Sequence, residues 1–294
     1  TGFMLRFEPL TLNDRDRLAP YLAARHSRSC ETTFANLFIW RTHTDTAIAF
    51  AEGFLLIRIR EAGETRYLFP LGEGDLRRAI ARLEEEEEPL CFCWLEEGER
   101  AILEREYPGR FALEENEASA EYLYLRSDLA TLAGKKYHGK RNHVAQFLRL
   151  CGGAIDYRPL VSEDIPALKQ LYEEWSAQSG QDLADERRAV FDALDHFDEL
   201  GLRGGVIRRD GAVEAFTAGV PVGEDTFDVI VEKGVDPHSG VYAAINQLFV
   251  QNALDGFTYI NREDDLGLEG LRAAKLSYHP AFLLKKWTAR EVCP

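Results

Sequence analysis

The sequence predicts an α+β protein made of two tandem copies of one plan, each a mixed, mostly antiparallel sheet flanked by helices. Three observations predict it. Phe7-Glu8-Pro9-Leu10, Asn13-Asp14 and Leu18 recur as Tyr157-Arg158-Pro159-Leu160, Glu163-Asp164 and Leu168, every position displaced by 150 residues. The elements after each copy then come in the same order, which chance likeness in a short motif would not produce. Finally, 294 residues with 45% hydrophobic content suffice for two cores. The expected domains are 4–150 and 151–294.

Both copies open with a strand, an acidic helix start and an amphipathic helix. In the first half, residues 47–60 and 65–69 read as hairpin strands around a turn at 61–64. A helix from Asp75 runs into the glutamate run 84–88 before Pro89, a solvated helix end rather than a metal site. Residues 89–95 read as a strand, 99–106 as a helix ending at Tyr107-Pro108, and 121–125 as the closing strand. In the second half, 205–209 and 213–220 are strands around the Asp210-Gly211 turn, and 226–232 is a third. A helix from about Gly240, a strand at 257–260, a helix at 268–276 and a strand at 282–287 follow. Between the copies, 127–150 has helical spacing and ends at Gly152-Gly153.

That connecting helix carries the run Lys135-Lys136-Tyr137-His138-Gly139-Lys140-Arg141-Asn142-His143, in a chain of formal net charge -15. An acidic protein that concentrates cations this way builds a local anion site, because its overall field repels phosphates. The same run also reads as a solvated helix face neutralised by the chain's own glutamates. The negative excess sits mainly between Glu84 and Glu121; the net charge argues against broad nucleic-acid binding, so any such contact is expected to be local and salt-sensitive.

No apolar stretch approaches the roughly 18 uncharged residues of a membrane helix, and no leader pattern stands at the start, so a cytoplasmic protein without stable membrane insertion is expected. Thr1, Gly2 and Phe3 precede the only methionine, Met4, and are expected to be a cloning remnant. Cys30, Cys91, Cys93, Cys151 and Cys293 are odd in number and scattered, which predicts reduced thiols. Cys91 and Cys93 alternate with Phe92 and Trp94 as one face of a buried strand, and no second Cys/His pair accompanies them, so no metal site is expected.

The element order is similar to the GNAT acyltransferase fold, present twice. The phrases SCETTFANLFIW (29–40), GKKYHGKRNHVAQF (134–147), EKGVDPHSGVYAAIN (232–246) and YINREDDLGLEGLRAAKLSYHP (259–280) resemble the cytosolic family related to the C-terminal domain of phosphatidylglycerol lysyltransferases. The resemblance covers nearly the whole chain. It implies a relative of the Fem-type aminoacyltransferases, which move an amino acid from aminoacyl-tRNA to an amine or hydroxyl. A GNAT pyrophosphate turn offers backbone N-H groups in a glycine-rich pattern. Here residues 235–243 keep one glycine and carry Asp236, and 70–75 carry two glycines and two acids, so neither copy reads as a standard acetyl-CoA site.

Aminoacyl transfer needs an anion grip for the carrier, a carboxylate for the amino group or a proton, and a donor for the developing oxyanion. Lys135, Lys136, Lys140 and Arg141 would grip carrier phosphates, with His138 and His143 adding donors. Glu232 at the end of one strand and Asp264 or Asp265 after the next lie where adjacent parallel strands splay in a GNAT domain. Tyr278 falls where such enzymes often place a tyrosine acid. Asn261, Arg262, Glu263, Lys275 and Tyr242 are the accompanying substrate-contact candidates. Each has a structural alternative: residues 261–265 as a salt-bridged turn capping the following helix, Lys275 as its ion-pair partner, and Tyr278 as packing on Pro280.

The leading function class is an acyl- or aminoacyl-group transferase, with aminoacyl-tRNA or an acyl-CoA as phosphate-bearing donor and a small-molecule or peptide amine as acceptor. An acetyl-CoA-dependent N-acetyltransferase and a non-catalytic phosphate-ligand-binding module are the alternatives.

Overall fold

The 150-residue repeat becomes two sheets, but the chain does not divide between them at residue 150. The computed structural model describes residues 4–293; Thr1, Gly2 and Phe3 lie outside the described residues. One unit comprises residues 1–121, 264–272 and 283–294, the other 122–263 and 273–282. Compared with the expected domains 4–150 and 151–294, the basic connecting helix therefore belongs to the second unit and the chain's last strand to the first.

Among the described residues, the first sheet runs in the order Glu8–Pro9, Ala47–Ala51, Phe54–Glu61, Glu64–Tyr67, Cys91–Leu95, Trp287–Glu291, Phe111–Glu115, with Leu71–Gly72 paired to Phe54–Glu61. The second runs Phe282–Leu284, Glu121–Leu125, Tyr259–Asn261, Thr226–Gly234, Ala212–Val222, Arg203–Arg209, Asp156–Pro159. Each sheet has a parallel junction, Glu64–Tyr67 beside Cys91–Leu95 in the first and Thr226–Gly234 beside Tyr259–Asn261 in the second. The closing strands are exchanged. Glu121–Leu125 pairs with Tyr259–Asn261, and Trp287–Glu291 pairs with Cys91–Leu95.

Local chemistry explains where the elements differ from expectation. Residues 47–60 are two strands, because Glu52 and Gly53 both take left-handed backbone. A Cβ on Gly53 would lie 2.2 Å from the Glu73 carbonyl oxygen, so glycine alone fits that turn. The segment 127–150 is two helices, Arg126–Thr131 and His138–Leu150, parted by Leu132 and Gly134 at positive φ. The expected strand 282–287 ends at Leu284, and a new one starts at Trp287. Phe111–Glu115 is a strand the sequence reading lacks; its half-exposed, acid-ended pattern hides a period of two.

The first core gathers Leu56, Tyr67, Ile80, Leu83, Phe92, Leu95 and Trp287. The second gathers Tyr124, Leu129, Tyr137, Phe227, Phe249, Ile260 and Tyr278. Burying each such side chain stabilises the fold by roughly 1.5–3 kcal/mol. No described helix is long and apolar enough to cross a membrane.

Candidate functional site

The second unit builds its site at the parallel junction. Thr226, Phe227 and Asp228 pair with Tyr259, Ile260 and Asn261, and no further pairs follow, so the two strands part beyond them. A bulge at Ile230 shifts the register against the neighbouring strand, Ala218 facing Val231 and Gly219 facing Val229. Bulges re-aim the side chains beyond them, and the next polar one is Glu232. The carboxylate of Glu232 meets the Arg262 guanidinium at 2.6 Å, both side chains mostly buried.

Tyr278, 9% exposed, stands at the centre of this group. The Arg262 guanidinium carbon lies 5.2 Å and the Lys140 ammonium 4.1 Å from its ring centroid, an attraction of cation for ring face. Its backbone carbonyl accepts from the Tyr137 hydroxyl at 2.8 Å. Burial pushes the Tyr278 hydroxyl up to about 12, against the opposing pull of Arg262, so at neutral pH it is a proton donor. Burial, and then Arg262, lower the Lys140 ammonium below its ordinary value.

The cationic run thus divides by role. Helical spacing puts Tyr137 and Lys140 inward, whereas Lys135, Lys136, His138 and His143 are exposed. Arg141 is a structural clamp: its guanidinium donates to the Leu132 and Gly134 carbonyls at 2.6 and 2.7 Å, holding the break between the two helices. Gly240 fixes the neighbouring helix Val241–Ala253 against this one, since a Cβ there would lie 2.1 Å from the His143 carbonyl oxygen.

The remaining candidates have structural duties. Asp265, 1% exposed, accepts from Arg272 Nε at 3.0 Å and from the Gly267 N-H at 2.8 Å, and it belongs to the first unit. These bonds brace the turn before the helix Glu269–Leu276. Asp264, half-buried, also lies in the first unit, so neither acid joins Glu232 within one unit. Asn261 is buried and accepts from the Glu263 N-H at 2.7 Å, and the Glu263 carbonyl in turn accepts from the Tyr122 N-H. Lys275 donates to the Arg262 carbonyl, so its ammonium orients the loop that carries Arg262. Tyr242 donates to the Gly234 carbonyl at 3.1 Å.

The turn that would cradle pyrophosphate caps itself. Asp236 accepts from the His238 N-H at 2.9 Å, Ser239 Oγ accepts from the Val241 N-H at 3.2 Å, and Gln146 holds the His238 carbonyl at 2.9 Å. The His238 and Val241 N-H groups of this turn are therefore engaged within the chain.

Sequence reasoning missed two features. Asn246, 4% exposed in an otherwise apolar helix face, approaches the Tyr278 hydroxyl closely enough to favour its ionised form. The first unit buries Lys286 completely, its ammonium between Glu31 and Glu121 and 2.6 Å from Ser29 Oγ. Cys30, Glu31 and Glu121 could by spacing hold a metal ion, but the Lys286 ammonium already supplies the positive charge to both carboxylates. A polar residue inside an apolar helical run was the available signal for Asn246, whereas Lys286 stood beside Lys285 and gave none.

Two sheets of this order, each with a parallel junction between neighbouring strands, define a tandem GNAT-like fold. The profile described as phosphatidylglycerol lysyltransferase, C-terminal, matches residues 23–290, and the chain belongs to that family. A conserved protein of unknown function from Bacteroides thetaiotaomicron is 38% identical, with 98% of this chain and 100% of that one aligned at a TM-score of 0.92. L-PGS from Bacillus licheniformis is 16% identical over 99% of this chain and 94% of its own, at a TM-score of 0.66. FemX, 9% identical, shares the fold over 98% of this chain and 97% of its own at a TM-score of 0.59. A Mycoplasmoides gallisepticum protein of uncharacterised function is 24% identical over 182 residues, 60% of this chain, which spans only 58% of that relative.

Proposed function

We propose that this chain transfers an aminoacyl group from aminoacyl-tRNA to an amine or hydroxyl acceptor. The observation that carries the proposal is the convergence of Glu232, Arg262 and Lys140 on the buried hydroxyl-bearing ring of Tyr278 at the strand splay. Family membership and the L-PGS and FemX folds support it. In this reading Glu232 holds the ammonium of the aminoacyl group. The acceptor attacks the ester carbonyl, a C–N or C–O bond forms, and the ester C–O bond to ribose breaks. The proton lost by the acceptor passes to solvent, and Tyr278 gives its proton to the departing ribose oxygen, later recovering one from solvent. A donor at about 12 suits a leaving alcohol of comparable basicity. Lys135, Lys136, His138 and His143 would meet carrier phosphates. The self-capped turn at 236–241 favours this donor over acetyl-CoA.

Binding of a mixed aminoacyl-tRNA pool and of acetyl-CoA, each at low and at physiological salt, tests the proposal. Salt-sensitive binding of charged tRNA that Lys135→Glu/Lys136→Glu loses is expected. Binding of acetyl-CoA alone, or of neither, would sink it.

A further inference from the structure

Among the described residues, one half-buried ammonium, that of Lys140, meets a ring instead of an oxygen, its Nζ lying 4.1 Å from the Tyr278 centroid. The other lysines that are buried or half-buried all meet oxygens. Lys169 reaches Asp195 at 2.5 Å, Lys233 reaches Glu186 at 3.0 Å, Lys275 donates to the Arg262 carbonyl, and Lys286 lies between Glu31 and Glu121. Arg262 approaches the same Tyr278 ring but has Glu232 as its counter-ion, so two cations share the ring and one of them lacks a carboxylate. In a chain with 50 acidic and 35 basic residues, that exception calls for a reason. The titratable groups around Lys140 are Arg262 with its partner Glu232, Tyr278, His279 against the Tyr137 ring, and Lys136, Tyr137 and His143 along its own stretch of chain. The helix Val241–Ala253, packed against His138–Leu150, carries no charged residue, and its Tyr242 is bonded to the Gly234 carbonyl. The Tyr278 ring favours the ammonium, whereas burial and Arg262 lower it. An aminoacyl ammonium arriving at Glu232 would add a positive charge that lowers it further.

We infer that Lys140 is the general base of acyl transfer at this site, taking the proton that the acceptor loses when it attacks. The inference rests on the acyl-transfer reading and adds to it the group through which that proton reaches solvent. As the acceptor's nitrogen or oxygen bonds to the ester carbon, its proton moves to the lone pair of Lys140 Nζ. The ester C–O bond breaks, and Tyr278 protonates the departing ribose oxygen. The half-exposed Lys140 then releases its proton to solvent and Tyr278 recovers one, so both groups return to their starting states. Contact between Lys140 and the Tyr278 ring sets base and acid side by side, as attack and departure at one carbonyl require. A lysine suits this place because its basicity falls readily on burial, whereas the guanidinium of Arg262 stays charged and serves Glu232.

The test has two arms on the purified full chain. In the first, trace labelling with acetic anhydride across a pH series, resolved by peptide mass spectrometry, reads each lysine's uncharged fraction. Lys140 is expected to reach half-labelling about one pH unit or more below the exposed Lys135 and Lys136. In the second, loss of the ester of labelled aminoacyl-tRNA is followed over the same pH series with a small-molecule cell extract as acceptor source, and the protein-free rate is subtracted. The parent's rate should rise with pH through the Lys140 half-labelling point. Lys140→Arg keeps a cation on the ring but no base, and should be slower by about tenfold or more, lack that rise and bind tRNA as the parent does. Where Lys140→Arg does not fold, Lys140→Met carries the same expectation. Half-labelling of Lys140 level with the surface lysines, or a Lys140→Arg or Lys140→Met variant as fast as the parent, overturns the inference. The labelling arm contains no nucleic acid. Early labelling of Lys140 in a chain that leaves the ester intact would therefore reject the aminoacyl-tRNA donor and keep the uncharged amine at Tyr278, whereas late labelling in a chain that consumes the ester would reject the base and keep the transfer.

Discussion

Replacing Glu31 by Gln should make the protein more stable at pH 8 than the parent, and the cause is the geometry around Lys286. One ammonium there serves two carboxylates, all three buried. Burial, then the neighbouring Glu121 charge, push Glu31 up to about 7, despite the pull of Lys286. Burial opposes ionisation of Glu121 as well, but Lys286 and the Cys30 N-H outweigh it and hold Glu121 down to about 2. A carboxyl raised in the folded state favours folding fully below its unfolded value near 4.5, and this contribution is lost as pH rises through 7. The difference between those values corresponds to about 3 kcal/mol across that window. Gln mimics the protonated form and does not titrate, so the variant escapes the loss. The stability difference, variant minus parent, should therefore climb by up to about 3 kcal/mol between pH 4.5 and pH 8. Urea denaturation of both proteins at several pH values, with equal m-values, measures it. A difference that stays flat, or falls, with pH refutes the raised Glu31 carboxyl.

Three further outcomes follow from the same structure. Lys286→Met leaves Glu121 uncompensated in the interior and should cost about 3–5 kcal/mol at pH 7, read as a lowered denaturation midpoint, with the deficit shrinking as pH falls toward 4. Gly240→Ala forces a Cβ against the His143 carbonyl at φ +88 and should lower stability by more than about 1 kcal/mol, since both strain and overlap act. Arg141→Ala should lower the thermal midpoint through loss of two carbonyl partners while leaving the salt dependence of donor binding close to the parent's, whereas Lys135→Glu/Lys136→Glu should do the reverse.

Much of the architecture was legible because local pattern and repeat agreed: the Asp75 cap of the helix Leu76–Glu86, the Asp210-Gly211 turn and the order of elements after each copy all follow from short-range chemistry. Strand pairing was not, because period-two alternation in Glu121–Leu125 or Trp287–Glu291 gives a strand its faces without naming its partner. Glu121 looked like one more member of the acidic block, yet it is 1% exposed and neutralises Lys286. Glu232, Arg262, Lys140 and Tyr278 could be singled out from residue type and position in the fold plan, and the structure brings these four together. Asp265 could not be separated from them, because an acid before a helix suits both a loop brace and a catalytic base. Asn246 sat in a run of apolar helical positions where only the three-dimensional neighbour, Tyr278, gives it meaning.

The most direct test of aminoacyl transfer at Tyr278 is the rate at which the protein consumes the ester bond of labelled aminoacyl-tRNA, in the presence of a small-molecule cell extract as acceptor source. The account predicts protein-dependent loss of the ester with transfer of label to an extract component. Tyr278→Phe should slow it about 10²- to 10⁴-fold at unchanged tRNA affinity, the usual contribution of a positioned acid. A parent protein that leaves the ester intact, or a Tyr278→Phe variant as fast as the parent, would contradict it.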